Sequence, residues 1–345
     1  MLVSNILVIG GSGFIGSHVL ARLAALAATP GERMPEPVTH AAWVTGALPD
    51  RVPGRIVAVT RDLRRARHLL PLPGVEVVEA DVHDDVSLDR LLAALGEDAT
   101  VINLAGILHD RRGKPYGPGF ARVHVALPRR LVAACARHGV RRLLHMSALG
   151  AESAGPSMYL RSKGDGEAAV TMSTLDWTVF RPSVVFGPGD SFLNLFARMQ
   201  RLTPFVPLAC AGARFQPIAV EDVAQAIVNA FGNAETIHQC YDLGGPQVYT
   251  LEELVRLAGQ ATGHPRPVVR LPAVLGRLQA MVLEHAPGGP LMSRDNLDSM
   301  QVENVLHGPV SPVLGITPRH LESGLAEILG RWDRSARFDR WRMRA

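Results

Sequence analysis

The stretch Ile6-Leu7-Val8-Ile9-Gly10-Gly11-Ser12-Gly13-Phe14-Ile15-Gly16 decides how the rest of this chain is read. A short apolar run rich in β-branched residues predicts a buried strand, the glycines predict a tight turn, and the Ala/Leu-rich residues that follow predict a helix over 14–28. The spacing of Gly10, Gly13 and Gly16 matters because positions without side chains let the backbone turn sharply, let an anion come close, and let helix pack on strand. Free N–H groups at the helix start, helped by the helix dipole, would then face a diphosphate. Gly10, Ser12, Gly13, Phe14, Ile15 and Gly16 are therefore the expected dinucleotide-binding loop.

Outward from this loop, β-branched runs alternate with stretches of helical period. Strands are expected over 6–10, 56–60, 75–79, 101–104, 142–146 and 177–181, and helices over 14–28, 62–70, 87–95, 121–138 and 159–172. The pattern predicts a doubly wound parallel sheet of α/β class with ligands at the carboxyl ends of its strands. A proline-rich insert, 29–54, interrupts the first crossover, and its Pro30, Pro35, Pro37, Pro49 and Pro53 argue against a regular element there. Past Gly187 the alternation fades. The expected organisation is a binding domain over 1–186, to which 213–245 returns, a smaller, mainly helical C-terminal lobe made of 187–212 and 246–330, and a tail over 331–345. In the lobe, Val274, Leu278, Met281 and Val282 form one stripe, which predicts an amphipathic helix turned to the core or a lobe interface, or lining an apolar substrate pocket.

Composition narrows the function classes. The chain has 345 residues and a net charge of +4. Residues 331–345 hold six Arg and two Asp, which accounts for all of that charge and leaves 1–330 neutral. Nucleic acid is therefore not expected as a partner, whereas the tail and lobe suit an anionic membrane surface or a larger complex. Cys135, Cys210 and Cys240 stand far apart with no CxxC pair, so neither a disulfide framework nor a metal site is expected. The first strand begins almost at the initiator and no long apolar run follows, which predicts a cytoplasmic protein, peripheral to the inner face of the membrane if it meets one.

Cofactor choice is read where the second strand ends. Thr60-Arg61 stands where an acidic residue would bind the ribose hydroxyls of NAD, and Arg61 and Arg65 suit the 2′-phosphate of NADP(H), making NAD(H) the less favoured cofactor. Asp62 either reaches a ribose hydroxyl or caps the next helix, and Arg64 and Arg65 serve equally as a solvated helix face. Ser147 follows a strand, and Tyr159 and Lys163 share one helical face at i and i+4. A phenol with pKa near 10 needs roughly 4 kcal/mol of bias to act at neutral pH, about what one ammonium ~4 Å away supplies at an effective dielectric of ~20. Lys163 is thus expected to lower Tyr159, and Ser147 to orient a substrate oxygen. Arg111, Arg112 and Lys114 lie on a Gly/Pro loop, either receiving an anionic substrate or simply solvated.

These motifs together resemble the extended short-chain dehydrogenase/reductases, a branch of the NAD-dependent epimerase/dehydratase family. The match rests on GGSGFIG at 10–16, Asp81-Val82, Asn103-Leu104-Ala105-Gly106, the Ser147, Tyr159 and Lys163 set, and RPSVVFGPGD at 181–190. The resemblance implies a Rossmann-type sheet in which Asp81 and Val82 meet the adenine, Asn103, Leu104, Ala105 and Gly106 line the cofactor, Tyr159 and Lys163 hold its ribose, and Pro182, Ser183 and Val185 lie against the nicotinamide. His124 stands where many members carry an Asn that holds a relay water. More closely, HMSALGA at 145–151, ARFQPIAVEDVAQAI at 213–227, YDLGGPQVYTLEEL at 241–254 and PLMSRDNLDSM at 290–300 are similar to bacterial relatives of the NADPH-binding accessory subunit of respiratory complex I. The expected function is an NADP(H)-dependent oxidoreductase on a small carbonyl or hydroxyl substrate. The alternatives are a non-catalytic accessory or assembly protein of a respiratory complex, and a nucleotide-sugar epimerase or dehydratase.

Overall fold

The computed structural model describes residues 2–27, 51–285 and 292–329. These fall into two units. One takes in the described residues up to Pro182 together with Val220–Leu243 and Gly308–Thr317; the other holds Ser183–Ala219, Gly244–His307 and the described residues from Pro318 onward.

The first unit is built on strands that read as buried on both faces. β1 (Leu2–Ile9), β2 (Arg51–Thr60), β3 (Val75–Glu79), β4 (Thr100–Asn103), β5 (Arg142–Met146) and β6 (Asp176–Pro182) join a strand at Gln239–Leu243. The sheet order is Gln239–Leu243, β6, β5, β4, β1, β2, β3, with every neighbouring pair parallel. The chain thus winds outward from β1 in both directions, as expected, and β1 beside β4 is the switch point at which such sheets bind ligands. Leu7 and Ile9 face a core shared with Val57, Val101, Leu88, Leu92 and Leu131. Ile6 and Val8 are equally buried, as a sheet covered on both faces requires.

The helices are α1 (Phe14–Ala27), α2 (Asp85–Leu95), α3 (Pro118–Phe120), α4 (Leu127–Arg137) and α5 (Met158–Thr171), with a later one at Val220–Phe231. Two segments differ from expectation. The helix expected over 62–70 is a series of turns ending in a 3-10 turn at Arg67–Leu69. Asp62 accepts the Arg64 N–H at 2.9 Å, closing a local turn rather than capping a helix, and Pro71 and Pro73 offer no N–H to carry a helix onward. The helix expected over 121–138 begins as a π-helical turn, Ala121–Ala126, before α4. Residues 29–50 of the proline-rich insert lie outside the described residues. Its last residues, 51–54, belong to β2, contrary to expectation. Pro53 sits opposite Ser4 on β1, while the pairing of β2 with β3 starts only at Ile56. Among the described residues the other edge of β2 is therefore unpaired at Pro53, and a strand edge tolerates a residue that cannot donate.

The second unit gathers Phe186, Leu193, Phe196, Val206, Leu208, Phe215, Leu254 and Leu325 in a core of its own. Its helix Ala273–Leu283 overturns the expectation of a buried apolar stripe. The buried residues are Gly276 and Ala280, whereas Val274, Leu275, Leu278, Met281 and Val282 are exposed. Small side chains let this helix press close: a Cβ on Gly276 would come within 2.6 Å of the Ala209 Cβ.

Arg142 of β5 is buried in the first unit, donating to the carbonyl oxygens of Asp176 (2.7 Å) and Ala230 (2.8 Å) and to Thr236 Oγ1 (2.8 Å). Arg142→Met keeps the length of the side chain but strands those acceptors. It is expected to lower stability by about 3 kcal/mol, read as a shifted urea midpoint at unchanged slope.

Candidate functional site

The site grows from the turn after β1. Gly10 has φ +81°, a backbone conformation that favours glycine, and a Cβ there would lie 2.9 Å from the Ala105 amide nitrogen. A Cβ on Gly16 would overlap the Gly10 carbonyl oxygen and sit 2.6 Å from the Gly11 Cα. The two glycines let the helix start, the β1 turn and the loop after β4 come together, and the Leu104 N–H donates to the Ile9 carbonyl at 2.9 Å. Gly13 N–H closes the turn on the Gly10 carbonyl at 3.0 Å, and Phe14 and Ile15 open α1. This cradle would be filled by any side chain, so the residues present fit a dinucleotide diphosphate.

From Ala105 the chain leads to the reactive side chains. A Cβ on Gly106 would be 3.5 Å from Lys163 Nζ and 3.8 Å from His124 Nε2. Lys163 Nζ, buried on α5, donates to the Met146 carbonyl at 3.1 Å. The next residue, Ser147, is 2% exposed, and its Oγ finds no hydrogen-bond partner among the described residues. A buried hydroxyl left unpaired is costly unless something else supplies the bond. The Tyr159 ring stands edge-on to His124 and Phe120, with centroids 5.6 Å and 6.1 Å away. The structure thus gathers Gly10, Gly16, Leu104, Ala105, Gly106, Ser147, Tyr159 and Lys163 within one unit.

Asp81 accepts the His83 N–H at 3.0 Å and pairs with Arg122 at 3.2 Å, and Val82 is buried in the core. Arg61 and Arg65 are exposed after β2, with Arg65 Nε 3.8 Å from Asp62. Burial lowers the pKa of His83, and the guanidiniums of Arg122, Arg61 and Arg130 lower it further, against the opposing pull of Asp81. Arg122 pairs with Asp81, and Arg130 donates to the His83 carbonyl. Pro182 closes β6 in the first unit, whereas Ser183 and Val185 belong to the second, where Ser183 Oγ donates to Asn304 Oδ1 at 2.6 Å. The loop carrying Arg111, Arg112 and Lys114 is tied down by neighbours of those exposed cations. Asp110 accepts the Phe120 N–H at 2.7 Å, Tyr116 donates to Asp165 at 2.9 Å, and Arg161 donates to the Pro115 carbonyl.

Two buried histidines brace the site: His124, which stands at the relay position of the resemblance, and His145, for which no role is expected from the sequence. His124 lies in the π-helical turn. Its Nε2 accepts the Ile107 N–H at 3.1 Å, so the ring proton must sit on Nδ1, which donates to Ser162 Oγ at 2.9 Å. Ser162 in turn donates to the Tyr159 carbonyl at 2.8 Å. Both ring nitrogens are engaged, and this side chain fastens the loop after β4 to the tyrosine helix. His145 Nδ1 accepts from Asn103 Nδ2 at 3.1 Å, while Asn103 Oδ1 accepts the Ala105 N–H at 3.2 Å. Nothing local announces these pairs.

Burial, seconded by the Lys163 charge, pushes His124 down to about 2 and His145 down to about 3. Burial also brings Lys163 down to about 8, against the opposing pull of Glu167, which is itself ion-paired with Arg181. Tyr159 moves opposite to expectation: burial raises its hydroxyl to about 12. Lys163 shares its helical face but gives its hydrogen bond to Met146, and desolvation of the phenolate prevails.

A parallel sheet with a glycine turn at its switch point defines a Rossmann-type nucleotide-binding protein. A family model described as NAD dependent epimerase/dehydratase family matches residues 6–244, and the chain belongs to that family, in line with the resemblance its motifs carry. It is 32% identical over 251 residues to NADH dehydrogenase (ubiquinone) 1 alpha subcomplex subunit 9, mitochondrial, of Rattus norvegicus, covering 70% of this chain and 64% of that protein, just under two thirds of its length. It is 30% identical over 266 residues to the ceramide reductase of Caulobacter vibrioides, covering 76% of this chain and 72% of that one. The Bacillus cereus UDP-glucuronic acid 4-epimerase, solved with UDP-glucuronic acid and NAD, superposes with a TM-score of 0.64 at 17% identity, over 95% of this chain and 98% of that chain. That likeness is one of fold. Among the described residues no helix is long and apolar enough to cross a membrane.

Neutral buried histidines set an acid limit. The unfolded chain takes up protons on His124 and His145 below pH ~6.5, whereas the folded chain refuses them until about pH 3 or lower. Their contribution to stability is complete above pH 6.5 and is lost as pH falls from there toward 3. Each histidine should cost roughly a tenfold drop in the folding constant per pH unit in that window. His124→Asn is expected to shallow the slope of unfolding free energy against pH by one such factor, measured by urea titrations from neutral to acid pH.

Proposed function

We propose that this chain is an NADP(H)-dependent oxidoreductase that interconverts a carbonyl and a hydroxyl, with Ser147, Tyr159 and Lys163 as its catalytic residues. The observation that carries the proposal is the unpartnered, buried Ser147 Oγ, one residue beyond the carbonyl that holds Lys163 Nζ at 3.1 Å. When bound, the nicotinamide supplies or accepts the hydride. The side chains hold the oxygen and manage the proton. Ser147 donates a hydrogen bond to the substrate oxygen. Tyr159, kept protonated by burial, gives its hydroxyl proton to that oxygen as negative charge develops there, and takes it back in the reverse direction. Lys163, largely cationic below pH 8, steadies the phenolate left behind. Gly10, Ser12, Gly13, Phe14, Ile15 and Gly16 would hold the diphosphate, Asp81 and Val82 the adenosine end, and Leu104, Ala105 and Gly106 the segment leading to the nicotinamide, against which Pro182, Ser183 and Val185 are assigned.

NADP(H) is preferred over NAD(H) because Arg61 follows β2 and Arg65 lies four residues on, both exposed. A 2′-phosphate matches that charge better than a bare ribose does. The substrate class to try first is the one in the name of the Caulobacter relative, a ceramide-type lipid. A second reading is favoured by the identity to the rat complex I subunit: a non-catalytic nucleotide-binding accessory protein partnered by a respiratory complex.

Two measurements decide between them. Calorimetry is expected to give NADPH an affinity at least roughly tenfold above that for NADH, and Arg61→Ala to erase the difference. In an assay of NADPH consumption with carbonyl-bearing sphingolipids, Tyr159→Phe is expected to cut turnover by about 10²-fold or more at unchanged NADPH affinity. The wild-type reduction rate should fall above pH 8 as Lys163 loses its proton, a limb that Lys163→Met removes. Equal rates in Tyr159→Phe and wild type would sink the catalytic assignment. Tight NADPH binding without turnover, together with copurification with respiratory subunits, would favour the accessory reading.

A further inference from the structure

We propose that the helix Ala273–Leu283 is the membrane-contacting element of this protein, lying in the plane of an anionic bilayer surface. Its amphipathicity is inverted. Gly276 and Ala280 are its buried residues, while Val274, Leu275, Leu278, Met281 and Val282 are exposed by 40% to 78%. At 100° per residue these five side chains span an arc of roughly 120°, and the buried pair lies on the opposite side. The inner contacts are short and specific: Gly276 against Ala209, and Gln279 Nε2 donating to the Pro207 carbonyl at 2.9 Å. Burying the small side and presenting the large apolar side to water is unfavourable for a helix whose only neighbour is solvent.

Charge selects the occupant. From Leu254 to Leu283 the sequence holds Arg256, Arg266, Arg270 and Arg277 and no Asp or Glu. The carboxylates that pair with Arg256, Arg270 and Arg277 lie inward while the guanidiniums point out, and Arg266 donates to the Gln200 carbonyl at 3.1 Å. Glu252, with 9% of its side chain exposed, serves both Arg256 and Arg270, the latter 77% exposed. Asp298, mostly buried, serves Arg277, whose place on the helix flanks the apolar arc. Two guanidiniums on one carboxylate leave a net positive charge. An apolar arc flanked by Arg277, in a stretch whose other charged residues are arginines, matches the interface of a bilayer carrying anionic headgroups, where leucine and valine enter the acyl boundary and arginine meets phosphate.

The test is flotation of the full-length protein with vesicles of phosphatidylcholine, with and without phosphatidylglycerol. Binding to the anionic vesicles is expected to exceed that to the neutral ones by roughly tenfold or more and to weaken with salt. Leu278→Glu with Val282→Glu, both at exposed positions, should reduce it by a further tenfold or so while leaving the thermal unfolding midpoint in place. A chain ending at residue 330 should keep the dependence on Leu278. The proposal is overturned if the protein floats with neither vesicle, or if the double variant binds as well as wild type. It is equally overturned if the apolar arc proves to be a contact between copies, seen as a dimer that the double variant dissociates in sedimentation while vesicle binding is absent. None of these outcomes depends on whether Tyr159 turns over a substrate.

Discussion

At Gly16 the first turn of α1 lies so close to the Gly10 carbonyl that even a methyl group would overlap it. Everything assigned to the dinucleotide follows from that approach. It keeps the helix-start amides uncovered, while the bare Gly10 lets the β1 turn lie against the backbone of Leu104 and Ala105, which sets where Gly106 and the side chains beside it can stand. Packing of backbone on backbone leaves no slack for a flexible side chain to absorb. The β1 turn, the start of α1 and the loop after β4 are thereby registered chiefly by the absence of side-chain atoms.

Against that backbone frame the first unit buries unusual chemistry. Lys163, His124 and His145 share one dry region, where burial, seconded by the Lys163 charge, keeps both imidazoles neutral. Neutral rings are then free to work as braces, each with one nitrogen accepting. Such an arrangement costs stability in acid and is retained where positioning matters more than stability, a trade common at sites that bind or transform small molecules. The unpaired Ser147 hydroxyl belongs to the same pattern.

The second unit departs in the other direction. Its core is ordinary, with Phe196, Phe215 and Leu254 enclosed, yet its helix Ala273–Leu283 keeps large apolar groups outside. Periodicity marks an apolar stripe on a helix but cannot say which side of the helix meets the protein. Here Gly276 and Ala280 decided it, because close approach to Ala209 rewards small residues over large ones.

What the sequence determined by itself was whatever depends on near neighbours: the strand and turn at 6–16, the parallel order of the sheet, the shared face of Tyr159 and Lys163, and the glycines at which no side chain fits. These follow from backbone sterics and from periods of two and 3.6, which act over a few residues. Short-range reasoning failed where competing local effects were close, as at 62–70, where the Asp62 turn and two prolines outweighed helix propensity. Only the tertiary structure decided that His124 meets Ser162 across 38 residues, that Asn103 meets His145 across 42, and that burial lifts rather than lowers Tyr159. Those outcomes depend on which side chains are carried into the same low-dielectric volume, and a linear chain does not encode that volume until its elements have packed.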